Sequence, residues 1–304
     1  MEILKKHLTK ELKENTYKNY LSVLNKLKDT DEIKDLNFIY STDEIIKKID
    51  TFKITNNTKR KYYSVLMGLT RENKKVYNIY DVLFKKYKKE QDDMQGTKTE
   101  KQEENWISKE ELLNKQEELK KSIEDFKNKR SITEEKYKKA LYYLVLSLYT
   151  LQEPRRNNDY INMVIIDNEE EIKKDEIKNY LLINKNKYYF IFNDYKTMGT
   201  YGRQIIKIND ELKEVIKLYI KMKRLFMFYD KSKEHFLISH KGTPYKTSKD
   251  ITLILNNIFN KNISTSLIRH IYLSDKFKTF KDDLKTTSEA MGTDSKTALK
   301  YYVV

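Results

Sequence analysis

Apolar residues recur at helical spacing along most of this chain. Tyr17, Tyr20, Leu21, Leu24 and Leu27 share one helical face, with Thr16 as the predicted N-cap. Tyr62, Tyr63, Leu66 and Leu69 repeat the pattern after Thr58, and Ile45, Ile46 and Ile49 predict a short helix after Ser41-Thr42-Asp43. A further helix is predicted from Ile79 to Tyr87. From about Lys88 to Asn105 the chain turns polar around Gly96, as a linker or a solvated helical extension does. These breaks predict a helical domain over 1–90, a linker over 91–104 and a second domain over 105–304.

The second domain opens at Trp106, where Ser108 followed by Glu110 and Glu111 reads as a helix start. Segment 134–151, with Tyr142, Tyr143, Leu144, Val145, Leu146, Leu148 and Leu151, reads as a buried helix. The period then shortens to two. Tyr180 to Ile183 and Tyr188 to Phe192 flank the turn Asn184-Lys185-Asn186-Lys187, and Arg203 to Ile208 alternates as a third strand after the Gly-punctuated turn 195–202. Helices are predicted over 210–228, 247–260, 264–277, 280–291 and 295–302, with an extended segment at His235–His240. The predicted fold is mainly α with a small antiparallel β-sheet.

Composition narrows the chemistry. The 304 residues include 61 Lys plus Arg against 46 Asp plus Glu, a formal net charge of +15. Such an excess attracts a polyanion, and nucleic acid is the commonest. A Lys-, Asn-, Ile- and Tyr-rich, AT-biased genome produces the same excess. There is no cysteine, which excludes a disulfide scaffold, a thiolate metal site and a cysteine nucleophile. The N-terminus has no apolar signal core and no apolar run reaches membrane-spanning length, so an intracellular chain that is not secreted is expected.

Four separated elements carry candidate chemistry. The first is Pro154-Arg155-Arg156-Asn157-Asn158-Asp159, which taken alone is a basic turn with Asp159 capping a helix. The second is Lys196, on the turn between two predicted strands. The third is Ser264 to Leu273, where Arg269 and His270 interrupt an apolar helix. The fourth runs from Ala290 through Gly292, Thr293, Asp294 and Ser295 to Tyr301 and Tyr302. Taken alone, it is a terminal helix docking through aromatics.

In order along the chain, these elements resemble the tyrosine recombinase (phage integrase) superfamily. Arg156, Asp159 and Met163 fit the pattern R-x-x-E-x-x-x-L, and Lys196-Thr197 fits the family's hairpin lysine. Ser266-Leu267-Ile268-Arg269-His270 fits H-x-L-R-H except at its first position, and Met291-Gly292-Thr293-Asp294 with Tyr302 fits the box L-G-H-S…Y. The stretch from Thr16-Tyr17 to Leu24 fits the family's T-x-x-x-Y-x-x-x-L helix.

The resemblance implies a helical, SAM-like core-binding domain followed by an α+β catalytic domain. It implies site-specific recombination or integration of double-stranded DNA, with a viral or mobile-element origin. A homo-oligomer, tetrameric in the synaptic complex, and no metal or cofactor are implied as well. Tyr302 would attack the scissile phosphate, with Tyr301 as the alternative nucleophile. The product would be a 3′-phosphotyrosyl link and a free 5′-hydroxyl. Arg156 and Arg269 would clamp the non-bridging oxygens and Lys196 would protonate the leaving oxygen. Ser266 and Thr293 stand where the family has His and His or Trp, and His270 would be structural support. A type IB topoisomerase, a telomere resolvase and a weakened DNA-binding protein of the same fold are the alternatives. Lys59, Arg60 and Lys61 from the first domain, and Lys241, Lys246 and Lys249 from the second, are candidate phosphate contacts.

Overall fold

The computed structural model describes residues 2–8, 11–12, 14–30, 32–93, 100–124, 131–172, 178–226 and 234–301. The chain divides into two units, Met1–Lys98 and Thr99–Val304.

The first unit is helical: α1 (Glu2–His7), α2 (Glu14–Lys28), α3 (Thr42–Thr51), α4 (Asn56–Leu69) and α5 (Lys74–Asp93), with a 3-10 turn at Asn37–Tyr40. Helix α2 starts two residues before the predicted cap, so Thr16 lies inside it. The predicted faces supply the core. Tyr17, Leu24 and Leu27 of α2 meet Ile45 and Ile49 of α3, Tyr62, Tyr63, Leu66 and Leu69 of α4, and Val76, Tyr80 and Tyr87 of α5. Burying each such side chain contributes roughly 1.5–3 kcal/mol. Tyr80 is fully buried and donates its hydroxyl proton to the Ile39 carbonyl at 2.6 Å, so the ring costs no unsatisfied polar group. Helix α5 runs well past Tyr87, to Asp93, and α6 (Glu100–Glu104) is also helical. The stretch read as a linker is therefore helical at both described ends; its Lys- and Glu-rich, Pro-free sequence favours a solvated helix.

The second unit is built around α8 (Glu134–Thr150), which packs against α7 (Lys109–Glu124), α11 (Asp210–Phe226), α12 (Ser248–Phe259) and α13 (Thr265–Lys276). From Ala140 to Tyr149 every α8 residue except Tyr142 is buried, as a helix covered on all sides requires. Helix α7 begins where predicted, with a reciprocal cap: Glu111 N–H donates to Ser108 Oγ at 3.0 Å, and Ser108 N–H donates to Glu111 Oε2 at 2.7 Å. Between α8 and α11 lie α9 (Asn157–Tyr160), β1 (Val164–Ile166), β2 (Tyr180–Asn184), β3 (Lys187–Phe192), α10 (Met198–Tyr201) and β4 (Gln204–Lys207).

These strands form one sheet in the order β1-β2-β3-β4. The expected three-stranded antiparallel sheet is thus corrected to a four-stranded mixed one. The added strand, β1, runs parallel to β2 with Val164 opposite Tyr180. The other pairs are antiparallel, Asn184 facing Lys187 at the β2–β3 turn and Phe192 facing Gln204 between β3 and β4. Three residues carry no readable alternation, and pairing with β2 makes β1 a strand.

The chain ends in α14 (Lys278–Ala290) and α15 (Ser295–Tyr301). Gly292, at φ +70°, closes α14: its N–H donates to the Glu289 carbonyl at 3.0 Å and the Thr293 N–H donates to the Ser288 carbonyl at 2.9 Å. Asp294 then caps α15, accepting from the Thr297 N–H at 3.0 Å. Ser288 and Ala298 are the buried residues described in this pair, while Phe280 and Leu299 are exposed. Among the described residues no helix is long and apolar enough to cross a membrane.

Candidate functional site

The short helix α9 brings Arg156 to a pocket, and its neighbours fix it there. Arg156 is the residue immediately before α9, and Asn157, the first helical residue, is bonded on every side. The Asn157 Oδ1 accepts from the Tyr149 hydroxyl of α8 at 2.9 Å. Its Nδ2 donates to the Ser248 carbonyl at 2.7 Å and to Thr252 Oγ1 at 3.1 Å, both on α12. A buried amide with all these partners orients the backbone that carries Arg156.

Arg269 arrives from the other side, on α13. Ser264 caps that helix through the Leu267 N–H at 3.1 Å, and Leu267, Ile268 and Ile271 anchor its inner face. This leaves Arg269 half-buried. Arg156 and Arg269 line one pocket of about 250 Å³, together with Arg155, Glu153, Asp159, Tyr160, Phe192, Tyr195, Thr197 and Gln204. Neither guanidinium has a hydrogen bond or ion pair to a described residue. Burial and the Arg156 charge push the Arg269 pKa down, although an arginine stays cationic at neutral pH. Two half-buried cations repelling each other over an open space are complementary to an anion.

Asp159 is taken up differently. It is 1% exposed, and its Oδ2 accepts from Arg155 Nε at 2.9 Å. Oδ1 has no hydrogen-bond partner among the described residues. Burial raises the Asp159 pKa, against the pull of Arg155 and Arg156. Asp159 therefore lies inside α9 as the partner of Arg155 and does not cap a helix.

Lys196 lies on the connection between β3 and β4, with an exposed side chain that has no polar partner among the described residues. Its neighbours Tyr195 and Thr197 line the pocket. Asn179 ties this connection to the arginine segment. Its Nδ2 donates to the Asp159 carbonyl at 2.9 Å and to the Asp194 carbonyl at 2.8 Å. Its Oδ1 accepts from the Asn193 and Asp194 N–H groups at 2.9 and 2.8 Å.

The remaining candidates are not gathered here. Ser266 and His270 are exposed on α13, away from the pocket lining, and Thr293 is half-buried beside the Gly292 turn. Tyr301 ends α15, which packs on α14, and Tyr302 lies outside the described residues. No described residue of α14 or α15 lines the pocket. Among the described residues no group of three or more His, Asp or Glu could hold a metal ion.

Of the expected phosphate contacts, Lys59 is already engaged. Its Nζ is 2.7 Å from Asp50 Oδ1 and lies 5.7 Å from the Tyr87 ring centroid. The partner comes from the end of α3, which helical spacing in α4 does not reveal. Arg60 donates to Asn57 Oδ1 at 3.2 Å, and Lys61 is exposed. Lys241, Lys246 and Lys249 are exposed around the start of α12, the end to which Asn157 bonds.

Sequence reasoning missed Arg155, Asn157, Asn179 and Gln204. A basic pair followed by two asparagines is a signal for Asn157; nothing local points to Asn179 or Gln204. A larger groove of about 940 Å³ between α7, α8 and α11 carries mixed charge, with Glu117, Glu124, Glu211 and Glu214 beside Lys120, Lys217 and Lys221. No protein family, curated protein or solved structure matches this chain.

Proposed function

We propose that this chain is a DNA strand transferase of the tyrosine recombinase type. The observation that carries this reading is the meeting of Arg156 and Arg269, both without an ion pair to a described residue, on one pocket. A phosphodiester has one negative charge and two non-bridging oxygens, and each guanidinium presents a fork of donors to such oxygens. As a tyrosine oxygen attacks, charge builds on those oxygens, and the preorganised cations stabilise it. The P–O5′ bond breaks, and the leaving oxygen takes its proton from Lys196 on the adjoining connection. The phenolic proton passes to water, since Ser266 and Thr293 offer no base near neutral pH. The covalent link conserves bond energy, so the strand can be rejoined without a cofactor. Exposed Lys241, Lys246 and Lys249 beside the arginine segment support backbone contact with duplex DNA.

The test is covalent capture. The full chain is incubated with nicked duplexes of randomised sequence, and protein–DNA adducts that survive denaturation are selected. An adduct lost in Tyr302→Phe or Tyr301→Phe, and in Arg156→Ala, is the expected result. An adduct that persists in both tyrosine variants overturns the reading. Salt-sensitive binding without any adduct supports instead a DNA-binding protein of this fold, the reading favoured by Ser266 and Thr293. Relaxation of supercoils without exchange between two sites points to the topoisomerase alternative.

A further inference from the structure

We propose that Arg155 is the positioning residue for Lys196. This rests on the strand-transfer reading above and assigns a role to the arginine that reading leaves unused.

The Arg155 guanidinium spans the seam between the arginine segment and the Lys196 connection. Its Nε donates to Asp159 Oδ2 at 2.9 Å, within the helix that follows Arg156. Its Nη1 donates to Gln204 Oε1 at 2.6 Å, on the first residue of β4. Its Cζ lies 4.0 Å from the Phe192 ring centroid, on the last residue of β3, and 4.8 Å from the Tyr195 ring centroid. One planar group thus touches both strand ends of the connection and the residue just before Lys196. Stacked cation and ring contacts of this kind hold an orientation as well as a distance.

The connection needs such a support. Lys196 has no polar side-chain partner among the described residues, so its backbone sets where its ammonium sits. Tyr195 closes the connection on itself through a hydroxyl bond to the Gly202 carbonyl at 2.7 Å. Arg155 relates that closed unit to Arg156. It lines the same pocket as Arg156, but its charge is matched by Asp159, so it is not a third empty clamp for phosphate. A proton donor displaced by an ångström loses much of its effect.

The test separates leaving-group protonation from everything else. The duplex selected by covalent capture is prepared with oxygen or with sulfur at the bridging 5′ position. In the sulfur substrate the P–S bond breaks and the electron pair stays on sulfur. A thiol has a pKa near 8.5, so the thiolate leaves without a donated proton. Lys196→Ala and Arg155→Ala are both expected to slow single-turnover cleavage of the oxygen substrate, by about 10²-fold or more, and both to recover on sulfur. Duplex affinity stays unchanged, and the double variant is no slower than Lys196→Ala. Arg155→Lys, which keeps the charge beside Asp159 but lacks the fork and the flat face, shows the same pattern and guards against an unfolded alanine variant. Gln204→Ala shows a weaker form of it.

An Arg155→Ala enzyme equally slow on both substrates, as Arg156→Ala should be, overturns the positioning role, as does one of wild-type speed on oxygen. A Lys196→Ala enzyme that sulfur does not relieve overturns the acid role itself, independently of Arg155.

Discussion

Asp159 accepts its hydrogen bond from Arg155, at 2.9 Å from Nε, and leaves the adjacent Arg156 without an ion pair to any described residue. Two neighbouring arginines thereby acquire opposite duties. Removing one partner of a buried pair leaves an uncompensated charge, so Arg155→Ala and Asp159→Ala should each cost about 2–4 kcal/mol of stability. Arg156→Ala and Arg269→Ala break no pair and relieve a repulsion, so they should stay within about 1 kcal/mol of wild type while losing at least about 10²-fold in cleavage. Urea midpoints beside single-turnover rates check the contrast. A larger stability loss in Arg156→Ala than in Arg155→Ala would refute the assignment of the pair.

Inorganic phosphate should stabilise the folded chain through the same pocket. By mass action a ligand at 100 times its Kd adds about 2.7 kcal/mol. The rise in Tm with phosphate, at constant ionic strength, should be present in wild type and lost in Arg156→Ala and Arg269→Ala. A rise of the same size in all three proteins would mean that the anion acts elsewhere.

How much of this site the sequence discloses depends on the range of the interactions. The starts of α7 and α15 are readable because their caps, Ser108 with Glu111 and Asp294 with Thr297, lie within one turn. The meeting of Arg156 and Arg269 on one pocket is expected only from the family resemblance, since nothing local to either segment points to the other. The division of labour between Arg155 and Arg156 is not readable, because Gln204 and Phe192 decide it from two other strands. The pairing of Lys59 with Asp50 is hidden for the same reason, and β1 is set by its pairing with β2.

Lys223, on α11, provides a pH-dependent element. It is 5% exposed, donates to the His235 carbonyl, and burial pushes its pKa down to about 8 from 10.5. Between those values the unfolded chain binds more protons than the folded one, so stability should rise as pH rises from about 8 towards 10.5. Below pH 8 both states are protonated and the full burial penalty remains, up to about 3 kcal/mol. Lys223→Met should remove that rise and be the more stable protein at pH 7. Chemical denaturation of both proteins from pH 7 to 10 measures it, and parallel curves would refute it.

Gly68 and Tyr20 should show coupled substitutions. A Cβ at Gly68 would sit 2.8 Å from the Tyr20 hydroxyl oxygen, with the ring carbons no nearer than 3.5 Å. Alanine is favoured over glycine by about 1 kcal/mol in a helix interior and by less at Gly68, the penultimate residue of α4. Gly68→Ala should therefore gain a few tenths of a kcal/mol in a Tyr20→Phe background and clearly less in wild type. A double-mutant cycle on urea midpoints reads the difference, and additivity would show that the ring yields freely.

The Asn179 amide has a consequence for how the Lys196 connection reports its own stability. The N–H groups of Asn193 and Asp194 lie outside any ladder, yet both donate to Asn179 Oδ1, on a residue 5% exposed. In hydrogen exchange these two amides should open only when the sheet around Asn179 opens, and so exchange as slowly as its strands. A stretch that secondary structure would class among the fast exchangers then becomes a clock for the cooperative unfolding of the second unit.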